Sequence, residues 1–437
     1  MSKIKANNLG VFNKSSELKS RILFVILCLV IYRLGTYIPV AGIDSAILKS
    51  IFEKQSSGAL GIFNLLSGGA LGRMTIFALA IMPYISASII IQLLTIAVPY
   101  LSSLKKDGEA GRRKISQYTR YSAVLLAMIQ GYGISVGMEN MSVEGKDVVI
   151  ASGSLFRVST TITLAGGTML LMWLGEQMTS RGIGNGISLI IFTGIVAEIP
   201  AGFASLGNLN ISALSIILIL LFAISLMGLI VFVERAQRKI LVQYPKKQVG
   251  NKIYNGEKTH LPLKINTAGV IPPIFASSIL LFPLTIANFN SENAPNWLLF
   301  LTSYLGHGQP AYIMLYVAII MFFCFFYTSI VFNSEETAEN LKKNGGFIAG
   351  VRPGQQTANY FDNVLTRLTV IGAIYLSFIC VVPEFLVAKY SIPFFLGGTS
   401  LLIVVNVIMD FITQVQSHLF ANQYEHLIKK AQLKGRK

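Results

Sequence analysis

Runs of about 20 mostly apolar residues alternate with polar segments along almost the whole chain. A helix needs roughly 20 apolar residues to cross the hydrocarbon core of a bilayer. The pattern therefore predicts an all-α polytopic membrane protein with ten transmembrane helices. The predicted spans are 22–40, 75–98, 118–138, 155–175, 184–202, 213–233, 268–288, 312–332, 367–387 and 394–416.

The composition agrees with a chain whose solvent is mostly lipid. Hydrophobic residues make up 53% of the 437 residues, charged residues make up 13%, and the mean hydropathy is +0.61. A soluble protein carries about 25% charged residues. Because no segment between the apolar runs is long enough to build a core by itself, we expect no soluble domain.

Lysine and arginine are unevenly distributed between the two predicted sides of the membrane. If both termini are cytoplasmic, the cytoplasmic segments contain 29 of the 36 Lys and Arg residues, and the external segments contain six. Positive residues concentrate in the cytoplasmic loops of membrane proteins. The distribution therefore predicts that both termini lie in the cytoplasm, and it favours an even number of spans.

An eleventh apolar piece, GALGIFNLLSGGALGRM at residues 58–74, does not fit the pattern of spans. It is too short to cross a bilayer and too rich in glycine to form a stable long helix. Short apolar segments of this kind are often re-entrant or buried inside protein. Two interpretations stay open, namely an interfacial segment or a movable stopper in a pore.

Residues that carry chemistry or ion coupling are scarce inside the predicted spans. Ion-coupled transporters usually place ionisable residues there. In this chain, ionisable residues fall near span ends, namely Arg33, Glu176, Glu234, Glu384 and Asp410. The three cysteines lie inside apolar runs, which favours buried thiols over disulfides or metal ligands. We therefore predict a chain that is not an enzyme, has no catalytic residues, metal or cofactor, and depends on a partner for energy.

Two predicted cytoplasmic segments, 234–267 and 333–367, exceed what topology requires. Residues 234–267 contain eight Lys and Arg against two acidic residues, and both segments mix aromatic and turn residues with the charge. One interpretation is that the charges only set topology or contact anionic lipid. The other is that the two loops dock a polyanionic or acidic partner.

Six segments of the chain resemble the SecY family, whose members are channel subunits of the bacterial Sec protein translocase. These segments are IFNLLSGGALGRMTIFALAIMPYISASIIIQLLT (62–95), GRRKISQYTRY (111–121), MWLGEQMTSRGIGNGISLIIF (172–192), THLPLKINTAGVIPPIFASSILLFP (259–283), GVRPGQQTANY (350–360) and GGTSLLIVVNVIMDF (397–411). The resemblance implies an hourglass channel of two inverted five-span halves, here 1–205 and 206–437.

The resemblance also implies three groups of functional residues inside the membrane. Residues 58–74 become the plug segment, with a centre at Phe63, Asn64, Leu65, Leu66, Ser67, Gly68 and Gly69. The family's aliphatic pore ring, which gives a dehydrated ion no hydrogen bond, falls on Ile81, Ile85, Ile187, Ile191, Ile279 and Ile403. The lateral gate between the second and seventh spans carries the polar residues Ser86, Ser88, Gln92, Ser277 and Ser278.

Basic residues of the two loops match the surface on which the family binds its cytoplasmic partners, namely Arg235, Arg238, Lys239, Lys246, Lys247 and Arg352. The partners that the resemblance implies there are the motor ATPase SecA and the ribosome, through rRNA and proteins at its exit tunnel. It further implies SecE and SecG as subunits, unfolded secretory and membrane proteins as substrates, membrane lipid at the gate, SecDF and YidC as additional partners, and the bacterial plasma (inner) membrane as the location.

The leading hypothesis is a passive protein-conducting channel that signal segments open and that SecA or a translating ribosome drives. One alternative is a small-solute secondary transporter with broken helices. The scarcity of intramembrane ionisable residues and the apolar ring argue against this alternative. A second alternative is a membrane insertase or assembly scaffold that does not conduct.

Overall fold

The computed structural model of the chain describes residues 16–45, 47–48, 64, 67–139, 141–143, 146–208, 213–245, 247–249, 252–254, 258–289, 309–390 and 397–434. Most of these residues are helical, and each predicted span lies largely on one helix. The helices are α1 (Ser16–Gly35), α2 (Met82–Ala97), α3 (Pro99–Lys106), α4 (Gly108–Glu139), α5 (Ser154–Arg181), α6 (Gly186–Asn208), α7 (Ala213–Arg235), α8 (Ile271–Phe289), α9 (Pro310–Val331), α10 (Ser334–Lys343), α11 (Gln355–Tyr390) and α12 (Gly398–Lys434).

Within the described ranges, six helices are long and apolar enough to cross a membrane, namely α4, α5, α7, α9, α11 and α12. The pair α2 and α3 meets the same criterion together but is bent by 102°, because Val98 precedes Pro99 and therefore adopts an extended conformation. Shorter apolar stretches lie in α6 and α8. The chain is a multi-pass membrane protein, while the total of ten spans stays a prediction.

The outward faces of several helices are apolar, as a bilayer requires. On α7 the exposed side chains include Leu214, Ile217, Leu221, Ile224 and Phe232. An apolar surface of this extent marks contact with a membrane or with another protein. The inward faces of the helices join one large hydrophobic core that extends from α1 to α12.

Residues 75–81 correct the prediction that the second span begins at residue 75. They form turns with one β-bridge between Thr75 and Pro39, and α2 begins only at Met82. Pro83 explains the difference, because the first turn of a helix tolerates a residue without an N–H group. A helix that began at residue 75 would place Pro83 in its interior, where the ring clashes with the preceding turn.

Two residues in this region have left-handed backbone conformations that residues with side chains rarely adopt. The φ angle is 43° at Met74 and 47° at Ala80, and both residues are buried. Each such residue costs about 1 kcal/mol relative to a right-handed conformation. The region is nevertheless held on the segment that follows α1, because the Val40 N–H donates to the Met74 carbonyl (2.9 Å) and the Ile76 N–H donates to the Ile38 carbonyl (3.1 Å).

The basic segment between α7 and α8 contains strands that the sequence analysis did not predict. β3 (Gln237–Gln243) pairs antiparallel with β6 (Lys258–Lys264), and its end pairs with β7 (Phe347–Ile348), so the two basic loops share one sheet. The remaining strands form two short antiparallel pairs, β1 (Ser142–Val143) with β2 (Lys146–Asp147) and β4 (Lys247–Val249) with β5 (Lys252–Tyr254).

The two basic loops together build a second, smaller hydrophobic core. It contains Ile240 of β3, Leu263 of β6, Ala338 of α10, Ile348 of β7 and Phe361 of α11, all buried. Side chains alternate across the faces of a strand, so β3 turns Ile240 and Val242 inward and leaves Lys239 and Leu241 exposed. The expectation that a loop cannot build a core holds for each loop alone, whereas residues 234–267 and 333–367 build one jointly.

We predict that Phe361→Ala loosens this second core. Phe361 is fully buried, and truncating a buried phenylalanine to alanine costs about 3–5 kcal/mol. Hydrogen exchange of the β3 amides, measured by mass spectrometry on the purified protein, should become faster in the variant. Asn359→Ala changes an exposed residue on the same helix and should leave the exchange unchanged. Unaltered β3 exchange in Phe361→Ala would contradict the shared core.

We predict that Ala80→Gly raises thermal stability. Glycine carries no steric penalty at positive φ, so the substitution should stabilise the described conformation by up to about 1 kcal/mol after the entropy of the unfolded chain is counted. Ala78→Gly is the control, because Ala78 is buried without a positive φ, and it should lower the melting temperature. Equal losses in both variants would disprove the strain at Ala80.

Candidate functional site

An apolar cavity lies where α1, α2, α6, α8 and α12 converge. Its volume is about 20 Å³, which is room for about one water molecule. Buried or partly buried isoleucines from four of its walls face each other across it. The lining residues are Tyr32, Ala80, Ile81, Met82, Ile85, Ile190, Ile191, Ile274, Ser277, Thr399 and Ile403.

Four isoleucines of the predicted pore ring line this cavity, namely Ile81, Ile85, Ile191 and Ile403. The other two predicted positions, Ile187 and Ile279, are not among the lining residues, and the side chain of Ile279 is 40% exposed. Ile190 and Ile274 line the cavity on the same two helices, α6 and α8.

The geometry of an α-helix explains this difference. Residue 279 is five positions after residue 274, and five steps of about 100° leave a net rotation of about 140° around the helix axis. The two side chains therefore point to different faces. Ile187 is one turn away from residues 190 and 191 along α6, where it packs at the edge of the main core. Motif position alone does not specify which face of a helix points at the cavity.

Two of the polar side chains that line the cavity, those of Ser277 and Tyr32, donate to backbone carbonyls. The Ser277 hydroxyl donates to the Ile274 carbonyl of its own helix at 3.0 Å. The Tyr32 hydroxyl donates to the Ser67 carbonyl at 3.3 Å. An ion that lost its hydration shell here would therefore meet mostly hydrocarbon, and burying a charge in such surroundings is strongly unfavourable.

The described part of the plug segment, Asn64 and residues 67–74, forms a compact turn beside the cavity. The Asn64 carbonyl accepts from the Gly69 N–H (2.8 Å) and from the Ser67 hydroxyl (2.9 Å), and the Asn64 side chain accepts from the Gly72 N–H (2.7 Å). Residues 67–72 are all buried. The predicted plug residues Phe63, Leu65 and Leu66 lie outside the described residues.

Two helices hold this turn in place. On one side, Tyr32 of α1 binds the Ser67 carbonyl, and the Arg33 guanidinium donates to the Gly68 carbonyl at 2.9 Å. On the other side, Gly68 approaches α6 so closely that an added Cβ would lie 2.9 Å from the Gly194 Cα. Gly68 also has a φ angle of +66°, which glycine adopts readily.

The predicted gate residues lie on α2 and α8, which pack against each other, and α8 also packs against α4. The Ser278 hydroxyl donates to the Ile274 carbonyl at 2.8 Å, and the Gln92 amide donates to the Ser88 hydroxyl at 3.2 Å. The Gln92 Oε1 atom is buried with no hydrogen-bond partner among the described residues. Ser86 and Ser277 are partly buried on the same two helices.

The predicted docking residues lie on the unit that the two basic loops form. The side chains of Arg235, Arg238 and Lys239 are exposed at the start of this unit, and Arg352 is exposed in the turn before α11. The Arg352 carbonyl accepts from the Thr357 hydroxyl at 2.9 Å. Lys247 belongs to β4, while Lys246 lies outside the described residues.

The sequence analysis missed an ionic contact beside the plug segment. Arg73 Nη2 lies 3.7 Å from Glu198 Oε1, and Glu198 belongs to α6 in the middle of an apolar run. An ionisable residue inside a predicted span often indicates a functional site. Glu198 lies in the predicted span 184–202, so the sequence alone could have identified it as a candidate. Its partner could not be identified from the sequence, because 125 positions separate residues 73 and 198.

Comparisons with known proteins agree on one family. The SecY family model matches residues 75–412. A protein named "Protein translocase subunit SecY" from Rickettsia felis is 59% identical over 430 residues, which cover 97% of this chain and 99% of that protein. The protein of the same name from Escherichia coli K12 is 55% identical over 427 residues, which cover 96% of each chain.

Solved structures share the fold at lower identity. A protein-conducting channel superposes with a TM-score of 0.65, a SecY structure concerned with its plug domain with 0.64, and Sec61 from a canine ribosome–channel complex with 0.61. Each is 18% identical and covers 92% of both chains. From the family model and from relatives that match over almost their whole length, we conclude that the chain belongs to the SecY family.

Proposed function

We propose that this chain is the central subunit of a protein-conducting channel. It lets unfolded secretory proteins cross the membrane and lets membrane proteins leave sideways into lipid. The observation that carries the proposal is the isoleucine-lined cavity of about 20 Å³ in a chain of the SecY family, with Tyr32 both lining the cavity and donating to the Ser67 carbonyl of the plug segment. The chain is not an enzyme, and its relatives are named as translocase subunits.

The constriction blocks ions at rest and yields to a polypeptide. Isoleucine side chains offer no hydrogen bond to an ion, so a dehydrated ion gains nothing at the constriction. The branched side chain is stiff at χ1, but the outer methyl groups can move around a passing chain. Because these contacts are individually weak dispersion contacts, they can be exchanged along an extended polypeptide without a fixed binding site.

The contact between α2 and α8 is the proposed lateral gate. The two helices touch in this closed state, and α8 can separate from α2 and α4 without breaking a sheet or a disulfide. The unpaired Gln92 Oε1 atom lowers the cost of separation, because opening would expose this atom to water. Apolar signal segments would gain lipid contacts on leaving through the gap.

The channel works with partners, and the basic unit of the two loops is the proposed docking surface. Arg235, Arg238, Lys239 and Arg352 present positive charge on a folded scaffold. Such a surface suits an acidic ATPase or the phosphates of rRNA. We propose SecA and the ribosome as the occupants, SecE and SecG as membrane subunits, and SecDF and YidC as additional partners.

The proposed setting is the bacterial plasma membrane with both termini in the cytoplasm, and residues 1–205 and 206–437 are the two proposed halves. The imbalance of Lys and Arg between the predicted sides supports the orientation.

A secondary transporter is a less favoured hypothesis, because a cavity with room for about one water molecule offers a solute no binding site.

Reconstitution tests the channel proposal. Liposomes would contain the full chain with the subunits that copurify from its membranes, and would receive SecA, ATP and a secretory precursor. We expect the precursor to become protected from added protease in an ATP-dependent manner. A control translocon from Escherichia coli runs in parallel. If the control protects the precursor and this chain never does, the channel proposal is wrong.

We predict that Ile403→Ser raises ion leakage through the resting channel. Ile403 is 3% exposed and lines the cavity, so a hydroxyl there would let water and ions enter. Ile279→Ser is the matched control, because Ile279 is 40% exposed and does not line the cavity. Conductance of planar bilayers should rise several-fold for Ile403→Ser only. Equal conductance in the two variants would place the constriction elsewhere.

A further inference from the structure

The functional site described above leaves a cluster of ionisable side chains without a role. Arg33 of α1 and Arg73 of the plug segment both contact the ring of Tyr37, and Glu198 of α6 lies beside Arg73. The side chain of Arg73 is 34% exposed and that of Glu198 is 19% exposed. A partly buried carboxylate between apolar helices needs a reason, because its desolvation is unfavourable.

The cluster connects the plug segment to both helices that flank it. Arg73 Nη2 lies 3.7 Å from Glu198 Oε1, and the Arg73 guanidinium lies 4.4 Å from the centre of the Tyr37 ring. Arg33 donates to the Gly68 carbonyl at 2.9 Å and to the Tyr37 hydroxyl at 3.0 Å. Movement of the plug segment away from the cavity would therefore break contacts to α1 and to α6 together.

The Glu198 carboxylate lies directly against the plug backbone. An added Cβ at Gly69 would overlap Glu198 Oε1 and would lie 3.0 Å from Arg73 Nη2. Gly69 has a φ angle of +78°, so glycine at this position serves both the turn and the close approach. The carboxylate is thus enclosed between the plug backbone and the guanidinium of Arg73.

Arg73 depends mainly on Glu198 for neutralisation. Its Nη1 atom is buried and has no hydrogen-bond partner among the residues that the structure describes. Arg33 lies 5.0 Å from the same Tyr37 ring and carries the same charge. Without the carboxylate, two guanidinium groups would share one aromatic ring in a partly desolvated site, where like charges repel more strongly than in water.

We propose that Arg73 and Glu198 form an ionic latch that keeps the plug segment on the closed channel, and that their separation is a step of opening. This inference rests on the proposed channel function. The left-handed residues Met74 and Ala80 follow the latch and store backbone strain. The ion pair holds the plug segment in place against that strain. A signal segment that separates Arg73 from Glu198 would therefore also let the strained backbone relax, as expected of a two-state element.

The test measures the resting ion conductance of the full chain with its copurifying subunits in planar bilayers. Glu198→Gln keeps the size of the side chain and removes its charge, and we expect conductance to rise about fivefold, equivalent to about 1 kcal/mol. Arg73→Gln should raise conductance by a similar factor. The double reversal of Arg73→Glu with Glu198→Arg should return conductance close to that of the wild type, because the pair is restored.

The matched control is Glu17→Gln, which removes an ion pair with Arg21 at the opposite end of α1 and should leave conductance unchanged. Melting temperatures of all variants show whether they are folded. Wild-type conductance in both single variants, or undiminished leakage in the double reversal, would overturn the latch. Precursor protection by the wild type in the same preparation tests the channel proposal separately, because an active channel with unchanged conductance in the single variants disproves only the latch.

Discussion

The structure depends on one constraint, which is that polar backbone groups at membrane depth must find partners inside the protein. Helices meet it by themselves, whereas residues 67–81 meet it partly through turns of their own, such as the Thr75 N–H donating to the Ala70 carbonyl, and partly through neighbouring segments. The C-terminal end of α1 and the segment after it supply the outside partners, since Arg33 donates to the Gly68 carbonyl and the Val40 N–H donates to the Met74 carbonyl. This non-helical segment therefore depends on the helices that enclose it.

Two kinds of contact hold the cavity and the turn beside it. The cavity is lined by isoleucines, whose contacts are many, weak and exchangeable. The turn of residues 67–74 is held by a few directional contacts, among them the pair of Arg73 and Glu198. Under the proposed function, a channel built from these two kinds of contact would block small ions and would open after few bonds break. The positive φ angles at Met74 and Ala80 add backbone strain to the conformation described here.

The basic loops fold under a different constraint, because they lie outside the apolar spans. Neither loop buries enough apolar surface to fold alone, but β3 pairs with β7, and Phe361 of α11 fills the space between them. The resulting unit is rigid enough to present Arg238 and Arg352 on a fixed surface. This folded surface supports the proposal that a partner docks there, since a docked partner can transmit force only to a structured element.

Local pattern by itself determined the helices, the membrane class, the odd segment 58–74 and the basic character of the two loops, because each depends on the composition of contiguous residues. Family motifs added the isoleucine ring, but only the tertiary structure decided that Ile190 and Ile274 line the cavity beside Ile81 and Ile403. It alone paired Val242 with Ile348, and it brought Arg73 to Glu198. Helix rotation and contacts between distant residues set these outcomes, and neither leaves a signal in neighbouring residues.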